Sequence, residues 1–332
     1  MGRFTVKLNG LHHVTAVTSK AQENFNFYTR ALGMRLVKKT VNQDDVSAYH
    51  LFYADKLGTP GTDLTFFDWA LGPNRNGPGS IANTALRVPG REALVWWADH
   101  LTQRSVEHSG ILDFHAHEMI NFTDPEGQHL SLVNDEGAAG GGTPWERSPI
   151  PAAYAIRGLY AATLIVRQLD LTERVLTEVM GYERTAEYET GPNERTVVYG
   201  LDGGGAGKEI WVIEQPDRPF GQLGAGGVHH IAFRVADDET QRYWRERLVS
   251  YGLGVTDIID RFYFHSIYFR IPGGLLFEIA TDGPGFTADE GLETLGEQLA
   301  LPPFLEPHRA KIEAGLKPIE TSQTHHESNI GP

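Results

Sequence analysis

The chain contains no cysteine. That absence excludes disulfides, thiolate metal sites and cysteine nucleophiles. Positive charge is also scarce: 29 lysines and arginines stand against 43 acidic residues, a formal net charge of −14. Nucleic acid and anionic membrane surfaces need a basic patch, so neither is expected as a partner. There is no hydrophobic run of membrane-spanning length, and the opening M-G-R-F-T-V-K-L-N-G has no apolar core of the signal-peptide kind. A cytoplasmic location is the expectation. What is present is ordinary for a globular chain: 332 residues, 40% hydrophobic and 22% charged, enough for two sizeable cores.

The sequence repeats itself. G-L-H-H-V-T-A-V at Gly10 returns as G-V-H-H-I-A-F-R-V at Gly227, and Ser80 to Val88 and Arg157 to Val166 superpose on the same pattern. The position of the second histidine falls at residues 13, 83, 161 and 230, spacings of 70, 78 and 69 residues. Self-similarity of this kind fixes the architecture before any single element is read. Four βαβββ modules, an α+β class, fill most of the chain. The expected division is 1–135 for modules one and two, 136–156 as a Gly- and Pro-dense linker, 157–284 for modules three and four, and 285–332 as C-terminal helices with a polar tail.

Within module one, strand alternation places Leu11, His13, Thr15 and Val17 on one face and His12 on the other. Phe25, Tyr28 and Leu32 then follow at helical spacing, stopped by Gly33, and V-S-A-Y-H-L-F-Y-A-D and T-D-L-T-F-F-D-W read as strands. Helices are expected also over Arg91 to Arg104, Thr172 to Met180, Asp237 to Ser250, Leu292 to Leu299 and Glu306 to Leu316. The tract D-G-G-G-A-G-K-E lacks the Ser or Thr after its lysine that phosphate binding needs, and reads as a hairpin turn. The tail pair His325 and His326 is assigned no role.

Chemistry emerges from comparing equivalent positions. The second-histidine position holds His13, Asn83, Ala161 and His230, so only modules one and four are armed. Aligning the last strands places Phe66, Ser131, Trp211 and Glu278 together, and only module four offers a carboxylate. Two imidazoles and one carboxylate form a facial triad, a ligand set that suits ferrous iron and leaves positions open for substrate and dioxygen. Manganese, zinc or nickel can occupy the same ligands. A lone strand histidine is more often structural; the coincidence of armed and blank modules is what favours the metal.

These motifs, with V-K-K-T-V-N-Q-D-D, Y-H-L-F-Y-A-D-K-L-G-T-P-G-T and L-P-P-F-L-E-P-H-R, resemble the vicinal oxygen chelate superfamily, which spans glyoxalases, bleomycin resistance proteins and extradiol dioxygenases. Within it the nearest resemblance is to ring-cleaving dioxygenases acting on hydroquinones. The resemblance covers nearly the whole chain. It implies two cup-shaped mixed sheets with helices outside, modules one and four sharing one cup, and iron held by His13, His230 and Glu278. It further implies that His12, His229, Thr15, Arg261 and Tyr268 stand near the iron, with an aromatic diol and dioxygen as reactants. From alternation alone, His12 and His229 point away and serve packing, Tyr268 is a cross-strand aromatic, and Arg261 is exposed or pairs an anion. Phe67, Trp69, Phe262 and Phe264 either line a pocket or belong to the core. The alternatives are a divalent-metal lyase, isomerase or thiol transferase of the glyoxalase kind, and a metal-free drug-sequestering protein on the same fold. A homo-oligomer is left open.

Overall fold

A computed structural model describes residues 6–114, 117–191 and 194–322. Among these residues the chain forms sixteen strands, four to each repeat. Module one comprises β1 (Leu11–Thr18), α1 (Ala21–Asn26), β2 (Arg35–Asn42), β3 (Asp45–Ala54) and β4 (Asp63–Asp68). Module two comprises β5 (Ser80–Val88), α2 (Gly90–Gln103), β6 (His108–Phe114), β7 (His117–Thr123) and β8 (His129–Asn134). Module three comprises β9 (Leu159–Val166), α3 (Leu169–Arg174), β10 (Glu183–Gly191), β11 (Glu194–Gly200) and β12 (Glu209–Glu214). Module four comprises β13 (Val228–Val235), α4 (Asp238–Ser250), β14 (Ile259–Asp260), β15 (Phe264–Arg270) and β16 (Leu276–Pro284). Residues 136–156 contain no helix or strand.

In every module the first strand pairs in parallel with the last, and the helix carries the chain across between them. The first strands then pair antiparallel between modules. β1 lies against β13 and β5 against β9, so module one shares a sheet with module four and module two with module three. The bridge pair of Val228 with Ile81 connects the two sheets, as do the backbone bonds from Leu11 N to the Gly207 carbonyl and from Leu159 N to the Gly61 carbonyl. The helices cover the outer faces. On α2, Leu94, Trp97 and Leu101 are buried at helical spacing, and α4 starts at Asp237, whose carboxylate accepts the Thr240 N–H at 2.8 Å.

The first strands depart from simple alternation, and all four do so at the same place. Register shifts fall between Leu11 and His13, between Val228 and His230, between Ile81 and Asn83, and between Leu159 and Ala161. Each marks a β-bulge one residue before the repeated second-histidine position. A bulge sets two successive residues against one and re-aims a side chain. Burial follows suit: Leu11, Val14 and Ala16 join the outer core beneath the helices, as do Val228, Ile231 and Phe233. Thus Leu11 is not on the face of His13, and His12 and His229 are not turned away from it. Simple alternation fails at both because one extra residue has been inserted.

In the second half the cup is filled. Tyr160, Ala161, Val198, Trp211, Met119 and Val133 form a separate buried cluster there, and the Trp211 indole N–H donates to Glu209 at 2.8 Å. The matching cluster of the first half uses Phe52, Ala232, Tyr263, Phe264 and Phe286 and stops short of filling its cup.

The expected hairpin turn at residues 202–209 joins the antiparallel strands β11 and β12. The expected helix over Leu292 to Leu299 is only one 3-10 turn, Leu292–Thr294. Gly296 breaks it, with φ of +74° and no room for a side chain, since a Cβ would stand 2.1 Å from the Leu36 carbonyl oxygen. The last helix forms as a 3-10 turn at Glu306–His308 followed by α5 (Arg309–Gly315). The pair His325 and His326 lies outside the described residues.

Candidate metal centre

His13 on β1, His230 on β13 and Glu278 on β16 meet inside the cup of modules one and four. The Glu278 Oε2 atom is 2.8 Å from His230 Nε2 and 3.3 Å from His13 Nε2. The imidazole rings are 5.5 Å apart and nearly perpendicular. All three side chains are buried, Glu278 completely. Burial alone would raise the Glu278 carboxyl, but His13 and His230 beside it hold it well below the usual carboxylate range, so it is ionised.

The donor atoms suit a cation. His230 Nε2 and Glu278 Oε2 are buried without a well-aligned hydrogen bond despite their closeness. Leaving such atoms unpaired is costly, and a divalent ion set among them satisfies both. Two nitrogens and one oxygen would hold such an ion and would leave it further positions for exogenous ligands.

The bulges supply what orients these ligands. His12 Nε2 lies 3.1 Å from the Thr281 carbonyl oxygen, which only accepts, so this nitrogen carries the proton. Its Nδ1, 2.9 Å from His13 Nδ1, must then accept. His13 accordingly donates from Nδ1 and turns an unprotonated Nε2 toward Glu278. The same contact recurs in module four, with His229 Nδ1 2.7 Å from His230 Nδ1. Burial, then the charge of the neighbouring imidazole, lowers both His12 and His229 to about 3, so both are neutral. Burial also lowers His230. The second oxygen of Glu278 accepts from the Ser266 hydroxyl at 2.5 Å.

A pocket opens over the triad. His13, His230, Tyr268, Arg261, Phe67 and Phe264 line it, together with Phe52, Tyr263, Thr40 and His50. Tyr268 stands directly opposite Glu278 across β15 and β16, edge-on to the His230 ring at 5.7 Å. Burial, followed by the Glu278 charge, raises its hydroxyl above the ordinary value, so it is protonated. Arg261 sits over the Tyr268 ring, 5.4 Å from its centre, and pairs with both oxygens of Asp44 at 3.2 and 2.9 Å. It therefore lines the cavity and pairs an anion at once. Trp69 stacks on Phe67 from behind, and Phe262 packs against the inner cluster beside Tyr263.

One equivalence drawn from the sequence is off by a residue. Glu278 pairs with Ala232, two residues past His230; the residue that pairs with Thr15, two past His13, is Thr65, not Phe66. Phe66 faces the outer core against Tyr28 and Tyr53. The Thr65 hydroxyl faces the cup and donates to Thr15 at 2.8 Å. Ser266, His50 and Thr65 were not singled out by the sequence, although Ser266 and His50 each alternate with a residue of the site or its cavity, Tyr268 and Phe52.

Comparison with known proteins agrees with this architecture. The family model of the Glyoxalase/Bleomycin resistance protein/Dioxygenase superfamily matches residues 10–132 and 158–279. MhqA of Bacillus subtilis (strain 168), provisionally named a ring-cleaving dioxygenase, is 44% identical over 316 residues, covering 95% of this chain and 100% of MhqA. The chlorohydroquinone/hydroquinone 1,2-dioxygenase of Sphingobium indicum is 34% identical over 318 residues, covering 92% of this chain and 95% of that protein. The crystal structure of a Bacillus subtilis protein provisionally named a dioxygenase superposes with a TM-score of 0.86 at 42% identity, covering 96% of this chain and 99% of the other. With its repeats, its paired first strands and these relatives, the chain belongs to the glyoxalase/bleomycin resistance protein/dioxygenase superfamily.

Proposed function

We propose that the protein is an Fe(II)-dependent ring-cleaving dioxygenase that opens hydroquinones or related aromatic diols. The observation that carries the reading is the convergence of His13, His230 and Glu278 beneath an aromatic-walled cavity, in a chain whose relatives include a hydroquinone dioxygenase. Ferrous iron held by these three residues supplies a Lewis acid for a ring hydroxyl and a redox link between ring and dioxygen. The rest falls to the protein. Glu278 and the unprotonated Nε2 atoms of His13 and His230 fix the site, and Ser266 and His12 orient them. Phe67, Phe264 and Tyr263 exclude water and hold the ring, gathering the reactants in one place. Tyr268 is protonated and faces the cavity, so it serves as proton donor near the ring, positioned by Arg261.

An isomerase of the glyoxalase kind, which wants a further carboxylate, is disfavoured by Thr65 at the position equivalent to Glu278. The test is oxygen uptake after anaerobic reconstitution with ferrous iron, comparing hydroquinone, methylhydroquinone and catechol, with His230→Ala as the blank. Uptake on hydroquinones that vanishes in the variant is the expected result. Absence of uptake on every diol, from protein containing stoichiometric iron, sinks the proposal.

A further inference from the structure

The cavity wall carries a second polar point beyond the triad. His50 on β3 and Thr40 on β2 are register partners across an antiparallel pair, and both line the cavity. The Thr65 hydroxyl has one proton and donates it to Thr15. The contact of 3.0 Å between Thr65 Oγ1 and His50 Nε2 is therefore a hydrogen bond donated by the imidazole. With Nε2 protonated, the neutral ring has a bare acceptor at Nδ1, for which the described residues provide no partner. Burial, then the nearby His13 and His230, lowers His50 well below its ordinary value and keeps that ring neutral. Phe52 and Phe67 hold it at ring separations of 4.0 and 4.4 Å.

Thr40 complements it. Its hydroxyl is buried with no well-aligned hydrogen bond; it stands beside the Tyr263 oxygen as a poorly aligned donor, while the Tyr263 hydroxyl donates to Asp289 at 2.8 Å. A poorly engaged donor and an unused acceptor thus stand at paired positions of adjacent strands in the cavity wall. A hydroxyl group, which donates one proton and accepts another, is the ligand they match.

We propose that His50 and Thr40 form a recognition point for the distal hydroxyl of a 1,4-diol. The distal O–H donates to His50 Nδ1, while its oxygen accepts from the Thr40 hydroxyl. The inference rests on the ring-cleavage reading and deepens it: the triad takes the proximal hydroxyl of the ring, and this pair selects hydroquinones over catechols, whose second hydroxyl is on the adjacent carbon. Discrimination arises because a bound ligand lacking the distal proton covers the His50 acceptor without pairing it.

The test uses iron-reconstituted protein under strict anaerobiosis, where ligands bind without turnover, with affinity followed by tryptophan fluorescence. Hydroquinone, 4-methoxyphenol and phenol all present the proximal hydroxyl; only hydroquinone presents the distal proton. Wild-type protein is expected to favour hydroquinone over 4-methoxyphenol by roughly tenfold to hundredfold. His50→Phe should abolish that preference and Thr40→Val, nearly isosteric, should reduce it, both leaving phenol affinity unchanged. Either variant that keeps the full preference, or that loses phenol as severely as hydroquinone, overturns the assignment, as does a wild type with no preference. Oxygen uptake separates the two readings. If the variants behave as expected but no diol consumes oxygen, ring cleavage fails and the subsite stands; uptake with unaltered preference in both variants sinks the subsite alone.

Discussion

The Nδ1 atoms of His12 and His13 lie 2.9 Å apart on the same side of β1, although the two residues are neighbours in sequence. Only the bulge between Leu11 and His13 permits this. It turns a histidine that would have packed beneath a helix into the group that fixes the tautomer of a candidate metal ligand. The Thr281 carbonyl on β16 anchors the chain of hydrogen bonds, so the strand bearing Glu278 also orients His13.

His12→Phe tests this link. A phenyl ring retains the packing against Phe264, now 5.3 Å between ring centres, but removes the acceptor for His13 Nδ1. Loss of such an outer hydrogen bond generally costs about tenfold to hundredfold in metal affinity. Competition with a chromogenic chelator measures it. Unchanged affinity in a folded variant would show that the ring of His13 is held by packing alone.

Metal removal provides the second test. Because the triad is formed only in the folded chain, a bound ion stabilises the fold by mass action, by about 2.7 kcal/mol at a hundredfold excess over its dissociation constant. Chelation should therefore lower the thermal midpoint, and adding ferrous iron or zinc should restore it. In Glu278→Gln, which keeps the shape and loses the charge, the metal-dependent shift should shrink or vanish. An equal shift in that variant would place the ion elsewhere.

How much of this was legible beforehand depended on what each signal measures. The repeats at residues 13, 83, 161 and 230 exposed the four modules, because each must present the same bulged strand to its neighbour. Armed and blank modules then pointed to His13, His230 and Glu278, which the structure brings within 4.8 Å of one another. The bulge itself left no mark, since one inserted residue changes no composition. It reversed the facing of His12 and His229. Phe66 stands in for Thr65 in the sequence alignment for a related reason: aligning by turns counts residues, whereas register counts hydrogen bonds. His50 leaves little signal in the sequence because its neighbour Phe52 on the same face gives the strand the look of core.

Acid should destabilise the metal-free protein well before ordinary carboxylates titrate. His12 and His229 are lowered to about 3, first by burial and then by the adjacent imidazole, while in the unfolded chain each titrates near 6.5. Between those values the unfolded state binds more protons, so stability falls as pH drops from about 6.5 toward 3. At pH 5 each such histidine contributes about 2 kcal/mol of loss. Glu278 acts in the same direction lower down, since its depressed carboxyl loses stabilising charge as pH falls below its ordinary value. Urea unfolding of chelator-treated protein at pH 7 and pH 5 reads the effect, and His12→Phe should flatten the dependence. A pH-independent midpoint over this range contradicts the assignment of neutral buried imidazoles.

Pseudo-symmetry supplies the last test. Thr65 occupies in module one the register position that Glu278 occupies in module four, and its hydroxyl faces the same cup. With His13, His230 and Glu278 holding an ion as proposed, Thr65→Glu would offer it a second carboxylate and convert three protein ligands into four. Closed sites of that kind bind divalent metals tightly but leave less room for exogenous ligands. The expected outcome is tighter retention of zinc or nickel with loss of oxygen uptake, while Thr65→Ser, which preserves the hydroxyl between His50 and Thr15, retains uptake. A buried carboxylate without a metal is costly, so Thr65→Glu should also be unusually metal-dependent for its stability, more so than the wild type. If the variant is folded, retains uptake and binds metal no more tightly, then the added carboxylate does not reach the ion and the equivalence of the two positions is one of backbone register only.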